Sequence, residues 1–489
     1  MDARTDDGGE PGSDASDGGN VDRCTTPPVG GLVKGEAINV FGRIDAIAIG
    51  ADDMRTYAGW YSTAFVGSLD FAGTAAPPAQ GSDGFVWRRD ASGATKWLVP
   101  LGGAAADFVD SVLDDDAGNI YIAGRTYSAT MTIGSLSINS QGLPYVSFLA
   151  KLRSTDGAPQ WIQRITGPTT DTAGRFHNCS KLTKSGAQII ATCNFRGGPL
   201  EVIANGGAQT TIPSVGFQSG VLLAIDSSDG EITWQTRFAA SSTNGIVNAD
   251  TTAAPNGHLY VSGTYTHEVD IAHPTEPVLE SATPNAYGRA GFWTELDAAG
   301  EPVWIRSFQH LGDPNSGPFA ISVAASTTAL YVTINTPTGI QFAIGSEITP
   351  APGRDILSTF PLASPPQSVP SHVREIPPRT RLAVDRCDRP SLGVPFVDLD
   401  DFVLDGITVT ENRPGLLTLA ATTAATRFVG FDPCANAFGA PCLEAVYAIA
   451  MTPTGSTILA GRFSPQIDFG SGASGLGTGD QPFIAEFAP

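Results

Sequence analysis

Residues 83–126 read DGFVWRRDASGATKWLVPLGGAAADFVDSVLDDDAGNIYIAGRT and contain four strand-like runs. The first run alternates apolar residues and ends at Asp90, the second contains Trp97, the third alternates more weakly, and the fourth is GNIYIAG. Alternation and a high content of β-branched and aromatic residues are typical of strands. The Asp-x-x-Gly piece before Trp97 provides a turn, because glycine tolerates the positive φ of tight turns. This stretch therefore predicts one small sheet of four strands.

The same order of runs recurs along the chain. The second run returns with tryptophans at positions 97, 161, 234 and 304, which are spaced by 64, 73 and 70 residues, so one unit is about 65–70 residues long. A tryptophan that recurs once per unit indicates packing between units rather than a ligand cage. We therefore expect Trp97, Trp161, Trp234 and Trp304 to be structural.

Two independent counts give seven units. Runs that resemble the fourth one are MRTYAG (54–59), NIYIAG (119–124), QIIATC (188–193), HLYVSG (258–263), ALYVTI (329–334), LLTLAA (416–421) and TILAGR (457–462). Runs that resemble the first one are FVWRRD (85–90), FLAKLR (148–153), LLAID (222–226), FWTELD (292–297), RLAVD (381–385), RFVGFD (427–432) and PFIAEF (482–487). DILSTF (355–360) competes with RLAVD for the sixth unit.

The chain is out of phase with its own repeat. A fourth run comes first, at 54–59, and the last first run, PFIAEF, stands at the C-terminus. A closed ring would explain this offset, because GEAINVFG (35–42) could then pair with 482–487 and protect the edge of the last sheet. The sequence therefore predicts an all-β fold, a seven-bladed β-propeller of four-stranded antiparallel blades.

The runs also resemble a known family, the bacterial β-propeller repeats of the form D-x-F-V-A-K-L-D-x-x-G…W…GN-x-Y-V-A-G. More distantly they are similar to quinoprotein-type propellers with a tryptophan docking motif. The resemblance covers roughly residues 36–489 and is sharp at 83–134 and 218–308. It implies the fold and an extracellular or periplasmic location, and very little about chemistry.

The domain organisation predicted from composition has two parts. Residues 1–34 form an acidic, Gly- and Ser-rich tether with too few apolar residues to order itself, and residues 35–489 form the propeller. Within the propeller, residues 344–379 carry eight prolines, and we expect an extended excursion there, for binding or for decoration. The tether resembles the segment that follows the lipid-modified cysteine of bacterial surface lipoproteins, which implies a lipid anchor upstream of residue 1. An acidic tail of a cytoplasmic protein is the alternative.

Charge excludes several classes of partner. The chain has 28 Lys+Arg against 49 Asp+Glu, a net charge of −21, and so it lacks a basic surface for nucleic acid or anionic membranes. No apolar run approaches the roughly 18–20 residues that cross a bilayer. We expect a monomer at the cell surface, extracellular or on the outer membrane, with the periplasm as the alternative location.

The six cysteines suggest disulfides. Cys179 and Cys193 flank a hairpin symmetrically about Gly186, so antiparallel pairing would set them opposite one another. Cys434 and Cys442 could bridge a turn in the last repeat, which leaves Cys24 and Cys387 to pin the tether to the ring. Reduced, buried cysteines are the alternative. Since there is no C-x-x-C motif, we expect no structural zinc.

The densest carboxylate runs are the candidates for a metal. Asp114 and Asp116 lie in an Asp-Asp-Asp-Ala-Gly-Asn turn, and calcium prefers such oxygen ligands. Asp398, Asp400 and Asp401 form a second and weaker candidate. The alternative for the first run is the ordinary turn that the repeat family has there. Beyond this calcium candidate we expect no cofactor and assign no catalytic residue.

The connections from the fourth run to the next first run are long, at 60–82, 125–144, 194–218 and 264–289. They contain short strand-like pieces, which are SLDFAG (68–73), EVDIA (268–272), GIQFAIG (339–345) and QIDFG (466–470). One face of the ring is therefore elaborated. Because recognition usually sits in loops on a rigid scaffold, we expect this face to bind a ligand.

Three functions compete on this fold. The first, which we favour, is a non-enzymatic, secreted or surface-anchored protein that binds a protein or glycan through its loop-rich face. The second is a polysaccharide-active hydrolase or lyase with carboxylates at the mouth of the ring. The third is a quinoprotein-like enzyme, but the vicinal cysteine pair associated with such enzymes does not occur in this sequence.

Overall fold

The computed structural model describes most of the chain from residue 31 onward. The described residues are 31–62, 70–75, 77–167, 176–204, 207–214, 217–239, 247–266, 269–272, 281–282, 289–310, 320–335, 340–341, 347–351, 354–362, 370–377, 380–385, 388–395, 402–404, 407–409, 415–419, 425–430, 445–464, 467–469, 473–474 and 480–488. The predicted tether, apart from its last four residues, lies outside them.

The regular structure of the described residues consists of strands. In the first half of the chain they are β1 Leu32–Ala37, β2 Phe41–Ile49, β3 Arg55–Ser62, β4 Asp70–Phe71, β5 Thr74–Ala75, β6 Ser82–Arg89, β7 Thr95–Gly102, β8 Asp107–Asp114, β9 Asn119–Thr126, β10 Thr130–Ile133, β11 Leu136–Asn139, β12 Val146–Arg153, β13 Pro159–Thr166, β14 Phe176–Ser185, β15 Gln188–Arg196, β16 Leu200–Ile203, β17 Gln209–Ile212, β18 Gln218–Ile225 and β19 Ile232–Ala239. In the second half they are β20 Val247–Ala253, β21 Leu259–Thr266, β22 Val269–Ala272, β23 Ser281–Ala282, β24 Arg289–Leu296, β25 Pro302–His310, β26 Ala320–Ala325, β27 Ala329–Asn335, β28 Ile340–Gln341, β29 Glu347–Ile348, β30 Asp355–Pro361, β31 His372–Ile376, β32 Arg381–Val384, β33 Pro390–Val394, β34 Phe402–Leu404, β35 Ile407–Val409, β36 Gly415–Leu419, β37 Ala425–Gly430, β38 Ala445–Met451, β39 Thr457–Phe463, β40 Ile467–Asp468, β41 Ala473–Ser474 and β42 Gln481–Phe487.

Each of the first six repeats contributes six strands in a fixed order: an inner strand, a second strand, a short hairpin of two strands, a third strand and an outer strand. The first repeat is β2 to β7, the next is β8 to β13, and so on to β37. The inner, second, third and outer strands pair antiparallel as one blade, for example β2-β3-β6-β7. The fold is a seven-bladed β-propeller, as predicted.

The seventh blade is completed from the N-terminus. Its inner, second and third strands are β38, β39 and β42, and its outer strand is β1, which pairs antiparallel with β42 from Leu32↔Phe487 to Ala37↔Phe483. The predicted ring closure is confirmed. The strand covers 32–37 rather than 35–42, so the predicted boundary between tether and propeller at residue 34 falls inside β1.

The sixth blade shows where the run-by-run assignment was wrong. RLAVD lies in β32, which is an inner strand rather than a third one; Arg381 is exposed there, and Leu382 and Val384 are half-buried against an apolar cluster. LLTLAA begins in β36, a third strand, and RFVGFD begins in β37, an outer strand. The second strand of this blade is instead β33. DILSTF is β30, the third strand of the fifth blade.

The proline-rich segment 344–379 supplies blade strands. Its residues include β30, whose first six residues are buried, and β31, which pairs with β30 as the outer strand of the fifth blade. We expected an extended excursion over this segment. Proline content did not reveal these strands, because the four prolines that the structure describes here lie at the end of a strand or outside the strands.

The core lies between the blades, and the recurring tryptophans are part of it. The Trp97 indole Nε1 donates a hydrogen bond to the carbonyl oxygen of Ser154 in the next blade, at 2.7 Å. The glycine of the same next-blade turn, Gly157, packs on the ring. Gly230 packs in the same way on Trp161, and Gly300 on Trp234. The predicted role of these three tryptophans in packing between blades is confirmed.

Candidate functional site: the central channel

The seven inner strands surround a channel of about 530 Å³. One end of the channel carries the turns between inner and second strands and the turns between third and outer strands, and we call it the hairpin face. The longer connections lie at the other end, the loop-rich face. Every inner strand contributes at least one polar side chain to the lining, and these are Asp45, Asp110, Ser111, Ser180, Lys181, Asp250, Ser322, Arg381 and Tyr447.

Four inner strands have a β-bulge at the same level of the channel. The pairing of β2 with β3 shifts between Ile44 and Ala46, which leaves Asp45 as the extra residue. Equivalent shifts leave Asp110 in β8, Ser180 in β14 and Tyr447 in β38. All four extra residues line the channel. Bulges commonly redirect a side chain next to a binding or active site.

Small residues opposite the bulge allow it to form. In three of these blades the second strand has Gly59, Gly124 or Gly461 at the shift, each preceded by an alanine. A Cβ on any of them would overlap a backbone carbonyl oxygen of the inner strand. The sequence contains this information as the Ala-Gly in MRTYAG, NIYIAG and TILAGR. Sequence reasoning used those runs to count blades and missed the channel residues beside them.

Asp45 is buried beside one arginine. Its Oδ1 lies 2.6 Å from Nε of Arg43, while its Oδ2 accepts no hydrogen bond. Desolvation by burial raises the pKa of Asp45 to about 6, although the neighbouring Arg43 opposes the shift. The Arg43 guanidinium also lies 4.7 Å from the ring centroid of Tyr447, a cation–π contact that joins the first and seventh blades.

Asp110 repeats this arrangement in the second blade. Its Oδ1 is 3.6 Å from Nη2 of Arg125, and its Oδ2 accepts no hydrogen bond. Desolvation again raises the pKa of the carboxyl, against the effect of Arg125. The Arg125 guanidinium lies 5.2 Å from the ring centroid of Phe108. Asp45 and Asp110 thus line the channel, and each keeps one buried oxygen without a hydrogen-bond partner.

The rest of the channel mixes charges of both signs. Lys181 Nζ lies 2.7 Å from Asp250 Oδ1, which ties the third blade to the fourth. The exposed Arg381 stands on the sixth blade, near Ser322 of the fifth. The channel therefore offers both hydrogen-bond donors and acceptors to a polar ligand. Within the described ranges, no three His, Cys, Asp or Glu side chains are grouped as metal ligands would be.

The predicted calcium residues lie at the hairpin face, away from the bulges. Asp114 Oδ2 accepts a hydrogen bond from Arg88 at 2.7 Å, in a buried ion pair between the first and second blades. Asp116 Oδ1 accepts from the backbone N of Ala51 at 2.8 Å, and its Oδ2 is 3.2 Å from Lys184 Nζ of the third blade. Both carboxylates connect blades here. Calcium binding by them stays a prediction, and Asp398, Asp400 and Asp401 lie outside the described residues.

One predicted disulfide lies within the described residues. Cys179 and Cys193 face each other across β14 and β15 and are bonded, so this pairing is confirmed. Its sulfurs are buried in the cluster between the second and third blades. The other predicted pairs, Cys434 with Cys442 and Cys24 with Cys387, lie outside the described residues.

The short strand-like pieces in the long connections contain short strands, as predicted. In the second to fifth repeats, the hairpin pairs with the outer strand of the preceding blade, as β10 does with β7. Asp70 of β4 likewise bridges Asn39, just after β1. We call these hairpins straps. They extend the preceding blade because its outer strand has an unpaired edge.

Sequence comparisons identify no relative: no family model matches the chain, and no curated protein does. Among solved structures, the propeller of Dos1 matches 94% of this chain and 95% of its own, at 8% identity and a TM-score of 0.42. The polysaccharide lyase Uly1 matches 96% of this chain and 95% of its own, at 8% identity and a TM-score of 0.39. The extracellular domain of BT4673 from B. thetaiotaomicron matches 92% of this chain and 40% of its own, at 9% identity and a TM-score of 0.34.

The described part of the chain contains no helix long and apolar enough to cross a membrane.

Proposed function

We propose that this propeller is a non-enzymatic, secreted or surface-anchored binding protein that takes a polar protein segment or glycan at the mouth of its channel. The observation that supports this is that four inner strands have a β-bulge at the same level of the channel. The extra residues of these bulges, Asp45, Asp110, Ser180 and Tyr447, all line the channel. The channel volume of about 530 Å³ falls within the usual range of ligand sites, roughly 300–1,000 Å³.

The electrostatics of the channel favour recognition of a polar ligand. Asp45 and Asp110 are each held by an arginine, and each keeps one oxygen without a hydrogen-bond partner. The two pairs still keep some accessible surface, since the Arg43 and Arg125 side chains are 23% and 28% exposed and those of Asp45 and Asp110 are 10% and 12% exposed, so a ligand meets hydrogen-bond donors and acceptors side by side. The loop-rich face is the entrance that we assign to this ligand, because the longer connections lie at that end and recognition usually sits in loops on a rigid scaffold.

The test is a binding screen of the full chain against oligosaccharide and peptide panels. The variant Asp110→Asn removes the channel carboxylate while keeping its size. The matched control is Asp156→Asn, which removes an exposed carboxylate from a turn at the hairpin face. We expect Asp110→Asn to weaken binding and Asp156→Asn to leave it unchanged. Equal affinity of both variants for every bound probe would refute the channel as the site.

A polysaccharide-active enzyme is a second candidate, favoured by one observation. Two carboxyls with raised pKa, Asp45 at about 6 and Asp110, project into the same channel, and a raised pKa suits a general acid. The assay is release of reducing ends or unsaturated products from polysaccharides by the wild-type protein and by Asp45→Asn. Turnover that Asp45→Asn abolishes would replace the first proposal with this one.

The proposed location is the cell surface, through an anchor that precedes the described residues. The acidic composition of residues 1–23 and the net charge of −21 support a tether in contact with solvent. Fractionation of the native host, with protease applied to intact cells, would test it. Degradation of the protein only after lysis would contradict a surface location, and gel filtration would test the expected monomer.

A further inference from the structure

Six ring side chains form a continuous series over the first three blades. Consecutive ring centroids are 4.7–6.1 Å apart, which is the range of direct aromatic contact. We call this series the aromatic arc, and its members in order are Phe41, Trp60, Phe108, Tyr127, Tyr145 and His177.

The arc lies on the loop-rich face. Phe41, Phe108 and His177 stand at the beginnings of inner strands, and Trp60 stands near the end of a second strand. These strand ends all point away from the hairpin turns. Phe108 precedes the channel residue Asp110 by two positions in β8. The arc is therefore continuous with the rim of the channel.

The arc is not a closed core. Tyr127 keeps 44% of its surface exposed, and Phe41, Trp60, Phe108 and Tyr145 are half-buried, whereas His177 is buried. The first three contacts along the arc are edge-to-face, with interplanar angles of 70–88°. The angle between the Tyr127 and Tyr145 rings is only 32°, and that between Tyr145 and His177 is 19°. The arc thus ends in three roughly parallel rings, and the exposed one is Tyr127.

Two arginines beside the arc, Arg43 and Arg125, are neutralised by carboxylates. Arg125 contacts Phe108 and pairs with Asp110, while Arg43 pairs with Asp45 two positions after Phe41. Each such pair has no net charge, yet it presents N–H donors and carboxylate oxygens side by side. Hydroxyl groups can use both kinds of partner, because they donate and accept hydrogen bonds.

We propose that the aromatic arc is a carbohydrate-binding platform for a neutral, pyranose-based glycan chain, with sugar rings lying on Tyr127 and neighbouring hydroxyls reaching the ion pairs at the channel rim. This rests on the proposed binding function and narrows it to one ligand class. The C–H face of a pyranose carries partial positive charge, and the face of an aromatic ring carries the negative end of its quadrupole. An anionic chain gains nothing from neutralised arginines on a protein of net charge −21.

The experiment measures binding of the full chain to glucan, mannan, xylan and galactan, with polygalacturonate as the acidic counterpart and the peptide panel in parallel. Four variants are compared with wild type. Tyr127→Ala removes the exposed ring, and Tyr127→Phe keeps it. Val303→Ala changes a side chain that is 48% exposed on the outer strand of the fourth blade, remote from the arc. Asp110→Asn reports on the channel.

We expect at least one neutral polysaccharide to bind, with little dependence on salt, because no net charge is neutralised on binding. Loss of one aromatic contact corresponds to roughly 2- to 13-fold weaker binding for Tyr127→Ala, whereas Tyr127→Phe and Val303→Ala should bind like wild type.

Two outcomes would overturn the proposal while the channel function stands. One is a neutral glycan whose binding falls with Asp110→Asn but not with Tyr127→Ala. The other is wild-type binding to peptide or polygalacturonate alone. Failure of wild type to bind any probe would overturn both proposals.

Discussion

The docking of the second, third and fourth blades on the tryptophan of the preceding blade can be tested at a single glycine. Gly300 has φ +82° and lies against Trp234, where a Cβ would overlap the six-membered ring and stand 2.7 Å from its Cη2 atom. Gly257, in another turn of the same blade, has φ +84° and no heavy atom within 4 Å of the position a Cβ would occupy. The two glycines therefore share their backbone conformation and differ in their surroundings.

The comparison separates backbone cost from packing cost. Alanine in the left-handed region costs roughly 1–2 kcal/mol at either site. At Gly300 the added methyl also displaces Trp234, and overpacking of this kind costs about 1–3 kcal/mol more. We expect Gly257→Ala to lower the free energy of unfolding by about 1–2 kcal/mol and Gly300→Ala by about 2–5 kcal/mol.

The assay is urea unfolding of the full chain followed by tryptophan fluorescence, with the m-value checked for each variant. Hydrogen exchange would show whether the loss with Gly300→Ala is concentrated in the third and fourth blades, which the Trp234 contact joins. Equal losses in the two variants would refute the argument that this contact stabilises the ring beyond its backbone geometry.

Three further predictions concern charges and the disulfide. Burial, and then the nearby Asp107, raises the pKa of Asp83 to about 6, above the unfolded value of about 3.9. The stability from protonated Asp83 is therefore present near pH 4 and is lost as the pH rises through about 6. Asp83→Asn should stabilise the protein near pH 7 more than near pH 4, and an equal effect in urea titrations at both pH values would contradict this. Arg55 donates two hydrogen bonds to Glu486, at 2.7 and 2.9 Å, between the first and seventh blades. Arg55→Leu should lower the free energy of unfolding by about 3–5 kcal/mol, because Glu486 loses its partner. The double variant with Glu486→Leu should recover much of this loss in urea unfolding, and no recovery would show that the pair itself is strongly stabilising. Replacing Cys179 and Cys193 together by alanine should cost roughly 3 kcal/mol for the loop they close, and an unchanged urea midpoint would show that the bond adds no stability.

The number of blades and the ring closure could be predicted from the sequence because they depend on period and order. Trp97, Trp161 and Trp234 mark successive outer strands. PFIAEF stands at the C-terminus with no outer strand after it, which indicates that its strand pairs with the N-terminal segment. The sixth blade could not be assigned in this way. Its inner strand β32 and its third strand β36 are both short and both pair with β33, and only the further pairing of β36 with β37 distinguishes their positions.

The candidate site was hidden for a different reason. Asp45 and Asp110 look like ordinary polar positions of a strand, and it is the one-residue shift against Gly59 and Gly124 that makes them line the channel. The aromatic arc joins residues from separate strand ends, such as Trp60 and Phe108, whose proximity depends on how blades pack. The carboxylates that stand out in sequence, Asp114 and Asp116, instead connect blades at the hairpin face.

The closing strand also determines which way the ring would point. β1 begins at Leu32, opposite Phe487, at the hairpin face, and the backbone of Gly31 still accepts a hydrogen bond from Ala488 there at 3.0 Å. An anchoring segment attached ahead of residue 31 would thus hold the propeller at its hairpin face. The channel mouth and the exposed Tyr127 would then face away from the point of attachment. Immobilising the protein by its N-terminus or its C-terminus should therefore leave both accessible to large ligands in solution.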